Sequence, residues 1–284
     1  MARVLVTGHL GFVGSATAAA LEARGDTVIG YDIMAGRDIR DNEQVHRVVA
    51  EEEPDRILHL AAIARFADAD AHPRLAHATN IMGTGNVMRA AKANHVPVVY
   101  ASTGSVYMPI EQEPPITESM TARGNSIYGV TKYFGELAVQ DWKVPWIILR
   151  YAHLYGNEKR GHGLVGGFLD RIDRGMAPIL YGGAQSNDFT YIDDVVAANL
   201  AALDATWDKW NQVYNIGTGE ELSAEEAGQM VCEVFEYDGP VKHGTVRSVD
   251  ASRFVYDTSK AERMLGFKAK YSFRQGLEAM RASR

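Results

Sequence analysis

The chain has 284 residues, 46% of them hydrophobic, and a formal net charge of −7. That is enough apolar sequence for one large domain, or two smaller ones sharing a boundary, without covalent staples. The acidic balance and the lack of any basic run argue against a nucleic-acid-binding face and favour small-molecule chemistry.

In chain order, short apolar runs alternate with helical patterns. Strands are predicted at Val4–Val6, Thr27–Ile29, Arg56–Leu60, Val96–Tyr100 and Trp146–Arg150, with helices at Val13–Arg24, Glu43–Glu52, Leu75–Asn94 and Ser126–Gln140. Short, continuous apolar strands suit a parallel sheet covered on both faces, so residues 1–150 read as a doubly wound α/β domain. Beyond Tyr151 the pattern weakens: 156–167 reads as loop, 164–174 as a candidate helix, Asp193–Leu203 as a clear helix and Gln212–Gly217 as a strand ending in a turn. Helical segments follow at Ala224–Phe235, Ser259–Leu265 and Phe273–Arg281. Residues 151–284 are therefore expected to form a smaller lobe of mixed α/β structure, with the chain returning to the first domain around 188–217.

Met1–Val6 runs straight into a strand without the features of a signal peptide, and no apolar run approaches the ~20 residues of a membrane span. A cytoplasmic protein with no membrane partner is expected. The single Cys232 lies in an amphipathic pattern and reads as a core residue. The nine histidines are scattered, none at ligand spacing beside cysteine or carboxylate, so no metal is expected.

Two local patterns carry chemistry. Between the first strand and first helix stands Thr7-Gly8-His9-Leu10-Gly11-Phe12-Val13-Gly14, and the next strand ends at Asp32. Glycines at such a junction allow a tight turn and close approach to a pyrophosphate, while the helix N-terminus offers free N–H groups to the anion. A carboxylate at the end of the second strand can accept from ribose hydroxyls and repels a 2′-phosphate, which favours NAD over NADP, although Arg37 and Arg40 stand close in sequence. The second pattern is Tyr128 and Lys132, one turn apart on a predicted helix. A cation beside a phenol lowers its pKa, which makes Tyr128 a candidate acid/base.

Together with His59-Leu-Ala-Ala62, Asn80, Gly83-Thr84, Ser102-Thr103 and the later blocks Arg150–Gly156, Asn187–Asp194, Asn215–Gly219 and Asp257–Ala261, these residues resemble the extended short-chain dehydrogenase/reductases, in particular the nucleotide-sugar epimerase/dehydratase group. The resemblance implies a Rossmann-type sheet with NAD as cofactor and a nucleotide sugar as substrate. By it, Gly8, Gly11, Phe12, Val13 and Gly14 bind the pyrophosphate, Asp32 holds the ribose, and Asp38 with Ile39 flanks the adenine. Leu60, Ala61 and Ala62 pass behind the nicotinamide half, Ser102 belongs to the cofactor site, and Asn80 helps hold the sheet and a proton-relay water. Tyr128 takes a proton from a substrate hydroxyl, Lys132 stabilises the phenolate and contacts the nicotinamide ribose, and the hydroxyl of Thr103 bonds the reacting sugar oxygen, with Ser102 and Ser105 as reserve hydroxyls. A homodimer through Leu75–Asn94 and Ser126–Gln140 is also implied.

The chain departs from the family pattern in three places. Dehydratases of the group place an Asp-Glu pair after the threonine, where this chain has Gly104-Ser105, so dehydration is disfavoured. Asn187 replaces an arginine that grips the substrate diphosphate, and His153 replaces a substrate-contacting asparagine, while Arg247 matches a second phosphate-binding arginine. Arg160, His162, Gln185 and Arg253 are the nearby polar residues available to compensate. The leading reading is an NAD-dependent epimerase acting through a transient ketone. Its rivals are a net dehydrogenase or reductase of a sugar, uronate or other small alcohol, and a non-catalytic dinucleotide sensor.

Overall fold

The computed structural model describes residues 1–107, 113–156, 163–245 and 253–284. Five strands occupy the first half: β1 (Arg3–Thr7), β2 (Thr27–Tyr31), β3 (Arg56–His59), β4 (Val98–Thr103) and β5 (Trp146–Tyr151). Their helices are α1 (Phe12–Ala23), α2 (Asn42–Glu52), α3 (Phe66–Ala71), α4 (Pro73–His77), α5 (Thr84–Ala93) and α6 (Ile127–Asp141). The strand interiors are mainly apolar because both faces are buried: Val4 and Val6 enter one core layer and Leu5, between them, the other.

The second half contains β6 (His153–Tyr155), α7 (Gly163–Asp173), β7 (Ile179–Tyr181), β8 (Ser186–Asn187), β9 (Phe189–Tyr191) and α8 (Ile192–Leu203). After these come β10 (Gln212–Ile216), β11 (Leu222–Ser223), α9 (Ala224–Val234), β12 (Lys242–Gly244), α10 (Ser259–Leu265) and α11 (Phe273–Ala282). β10 joins the large sheet, which runs β10-β5-β4-β3-β1-β2 with every pairing parallel. The remaining short strands pair as β6 with β9, β7 with β12 and β8 with β11. Strand order reverses at β1, with β2 on one side and β3 on the other, so the carboxyl ends of β1 and β3 open a crevice.

Three local differences from the sequence reading have physical causes. The helix expected over 75–94 is three pieces, α4, a π-helical turn at Ala78–Gly83, and α5. The wide turn buries both Asn80 and Gly83, and a Cβ on Gly83 would lie 2.7 Å from Ile39. β4 begins at Val98 rather than Val96, because Val96 gives its N–H to Ala91 and Pro97 has none to give. α3 escaped notice since Phe66-Ala-Asp-Ala-Asp-Ala71 has a single bulky apolar residue. The candidate helix at 164–174 is present as α7, with Val165, Phe168 and Leu169 as its buried stripe. Among the described residues no helix is long and apolar enough to cross a membrane.

Candidate functional site

The crevice is a cleft of about 550 Å³ lined by the glycine turn, the ends of β2, β3 and β4, Tyr128 of α6, and His153. Gly8 sits at φ +73°, a left-handed conformation, and a Cβ there would approach the Ala61 nitrogen to 2.8 Å. A Cβ on Gly14 would lie 2.0 Å from the Gly8 carbonyl oxygen, so helix and turn meet only through glycine. α1 starts at Gly11 with no side-chain cap, leaving first-turn N–H groups free to meet an anion. These features suit the pyrophosphate of a dinucleotide. The His9 ring lies against Gly30 of β2, at the place a Cβ would fill.

At the adenosine end, Asp32 is nine-tenths buried, accepting from Met34 N at 2.9 Å and Leu10 N at 3.1 Å. It thereby ties the end of β2 to the glycine turn. Asp38 and Ile39 also line the cleft. The two arginines that left NADP open in the sequence are both engaged: Arg37 donates to the Gly30 carbonyl at 2.7 Å, and Arg40 is paired with the Asp38 carboxylate.

Tyr128 and Lys132 lie one turn apart on α6, whose N-cap Ser126 accepts from Gly129 N. The Tyr128 phenol lines the cleft together with Thr103 and is packed edge-on against Phe66, with ring centroids 5.4 Å apart. Its expected acidification by Lys132 is not what this structure has. Burial pushes the phenol above its ordinary value, with the Thr103 hydrogen bond pulling the other way. The Lys132 ammonium lies instead over the Tyr100 ring, 4.1 Å from its centroid, and burial pulls it down to about 7 against the attraction of Glu136.

Ser102 lines the cleft, yet its hydroxyl turns inward to the Glu136 carboxylate, so it is a poor reserve hydroxyl. Glu136 in turn receives Arg150 through two bonds of 2.9 and 2.6 Å, and Arg150 also donates to Tyr107 at 2.7 Å. Tyr107 donates to Asn215 at 2.8 Å, which completes a buried network from β4 across α6 and β5 to β10. The signal for it was present in Arg150, a charge closing an otherwise apolar strand, since a buried charge needs a partner. Thr103 and Ser105 bond one another at 3.3 Å beside Tyr128. A Cβ on Gly104 would fall 2.2 Å from Phe254 and 2.9 Å from the Tyr256 hydroxyl, so these rings fill the space that a side chain at 104 would need.

Asn80 does not line the cleft. It lies fully buried, exchanging two hydrogen bonds with the Ile63 backbone and donating to Thr131 at 2.9 Å, which fixes the strip behind the site against α6. His153 lines the cleft between the Phe189 and Phe254 rings. Asn187 stands outside it in β8, paired with Leu222 of β11. Arg253 is held by Glu221 through bonds of 2.8 and 2.7 Å, and Gln185 by the turn at 181–183. Arg247, Arg160 and His162 lie outside the described residues. Among the described residues no group of three metal-ligating side chains occurs.

Comparison with known proteins agrees with this geometry. A model of the NAD dependent epimerase/dehydratase family matches residues 4–217. A UDP-glucose 4-epimerase of Caenorhabditis elegans is 27% identical, over 98% of this chain and 95% of its own. Among solved structures, the UDP-glucose 4-epimerase of Thermotoga maritima with UDP-glucose superposes with a TM-score of 0.91 at 29% identity, covering 98% of this chain and 97% of that one. The Thermus thermophilus UDP-glucose 4-epimerase in complex with NAD gives 0.87 at 30% identity, with the same coverage.

Proposed function

The chain belongs to the NAD dependent epimerase/dehydratase family, and we propose that it is an NAD-dependent epimerase that inverts a carbinol centre of a nucleotide-linked sugar through a transient ketone. The observation that carries this reading is the half-buried Tyr128 phenol lining the cleft with Thr103, followed one turn later by buried Lys132. NAD supplies the hydride acceptor and later donor, and the positive charge of its oxidised ring favours the phenolate. Tyr128 removes the proton from the sugar hydroxyl and returns it after the ketone has turned its other face. Thr103 orients that oxygen through its hydroxyl beside Tyr128, and Lys132, one turn further along α6 with its ammonium over the Tyr100 ring, would hold the nicotinamide ribose. With Gly104 closed to any side chain, the site has no second acid at that position for eliminating water.

Support for the nucleotide-linked substrate comes from the relatives, whose names specify UDP-glucose. The test is incubation of the NAD-loaded protein with UDP-glucose and a panel of other nucleotide sugars, followed by NMR. An epimer appearing without accumulation of NADH supports the reading; steady NADH formation on a free sugar or uronate, with no nucleotide sugar turned over, overturns it in favour of a net dehydrogenase. We further propose a homodimer. Met82 on the π-turn and Phe134 and Leu137 on α6 stand 67%, 49% and 41% exposed, an apolar surface on the two helical segments expected to pair. Sedimentation as a monomer at micromolar concentration contradicts it.

A further inference from the structure

A line of buried polar side chains runs beneath the point where strand order reverses, and the chemistry above makes no use of it. Thr7 ends β1, His59 ends β3, and the two are register partners across that point. Thr7, His59, Asn80, Thr84 and Thr131 are each exposed by 1% or less. His59 Nδ1 lies 2.6 Å from Thr7 Oγ1, and Nε2 lies 3.0 Å from Thr84 Oγ1.

The neighbours fix the direction of these bonds. Thr84 gives its one hydroxyl proton to the Asn80 carbonyl at 2.7 Å, so it accepts from His59, which carries its proton on Nε2. Nδ1 then accepts from Thr7, whose oxygen accepts the Ala61 N–H at 3.2 Å. Burial pulls the imidazole down to about 3, so the ring stays neutral at any working pH. On the far side, the Asn80 amide donates to Thr131 at 2.9 Å, and Thr131 donates to the Tyr128 carbonyl at 2.9 Å. Two directed runs that share Asn80, the first ending on its backbone carbonyl and the second starting from its side-chain amide, thus join Ala61, behind the glycine turn, to the backbone of Tyr128 itself. Sequence separation hides it, because its members come from β1, β3, the π-turn, α5 and α6.

We infer that His59 is a positioning residue for the reaction: as the neutral Nε2–H tautomer it ties the glycine-turn strand to the helix turn carrying Tyr128 and so sets where the phenol stands over the cleft. This rests on the reading of Tyr128 as the proton carrier. The two fail separately: an active Tyr128→Phe sinks that reading, whereas an inactive Tyr128→Phe beside an unimpaired His59 variant sinks only this one.

The test compares His59→Met, which fills the volume without a donor and acceptor pair, with His59→Gln, whose amide keeps one of each. In His59→Met, kcat is expected to fall by about 10²-fold, the scale of a misplacement of order 1 Å, with KM and NAD affinity by fluorescence titration within twofold of the parent. His59→Gln is expected to recover most of that loss. Equal impairment of both variants, or a folded His59→Met with parental kcat, overturns the proposal, as does a loss confined to KM. Should His59→Met not fold, Thr131→Val cuts the same chain at its last link away from the sheet; the same fall in kcat is expected, and parental kcat there overturns the proposal.

Discussion

Glu136 and Arg150 meet beneath the large sheet with side chains 0% and 6% exposed, whereas Glu221 and Arg253 meet in the second half of the chain at 28% and 53%. The chemistry of the two pairs is the same, a bidentate guanidinium on a carboxylate, and their physical standing is opposite. The buried pair cannot lose one partner without stranding the other in low dielectric, while the exposed pair can exchange its partner for water or for an incoming anion at little cost. The sheet half therefore holds a fixed geometry for one reaction. The second half holds this pair loosely enough for it to exchange partners.

The largest effect that would sharpen this contrast is at the reacting end of the rigid half. Tyr128→Phe keeps the edge-on packing with Phe66 but removes the hydroxyl, and kcat is expected to drop by about 10² to 10⁴-fold. NAD binding, followed by fluorescence titration, should stay near the parental value. Next in size is Glu136→Ala, which leaves Arg150 buried with only Tyr107 and should cost about 3–5 kcal/mol in urea unfolding. A loss no greater than that of a surface substitution would break the contrast drawn here.

The smallest effect belongs to the second half. Hydrogen bonding to Arg253 and then Ser186 pulls Glu221 down to about 2 from 4.5. A carboxyl depressed in the folded state contributes stability that is fully present above its unfolded value and is lost as pH falls through the folded one. The difference in unfolding midpoint between the parent and Glu221→Gln should therefore be small at pH 7, shrink between pH 4.5 and 2, and shrink also in high salt. A large, salt-independent difference would place this pair with the buried one.

Much of this was legible in the chain. The strands announced themselves because both of their faces are buried, and the glycine turn because its chemistry is local, closing within Gly8–Gly14 and at Asp32. The Tyr128–Lys132 spacing correctly put both on α6. Their electrostatics were not legible, since the platform that receives Lys132 is Tyr100, on a strand more than thirty residues away. The fate of Ser102, Arg150 and His59 was hidden for the same reason: a hydroxyl, guanidinium or imidazole in a sequence shows what it can bond, and only the fold shows what stands opposite. The π-turn is invisible to a 3.6-residue periodicity by construction, so the bonds of Asn80 to Ile63 and Thr131, which depend on it, were not legible although its role in holding the sheet was.

Gly104 bears on how this protein could change over time. A carboxylate at that position would collide with Phe254 and Tyr256, which belong to a segment some 150 residues further along the chain. A single substitution at 104 therefore cannot trial an extra acid there. Acquiring one requires Phe254 to shrink beforehand or at once, and a smaller residue there loosens the wall on which His153 rests. The route from inverting a hydroxyl to expelling it thus passes through a variant worse at the first task before any gain at the second, a barrier in mutational space raised by packing alone.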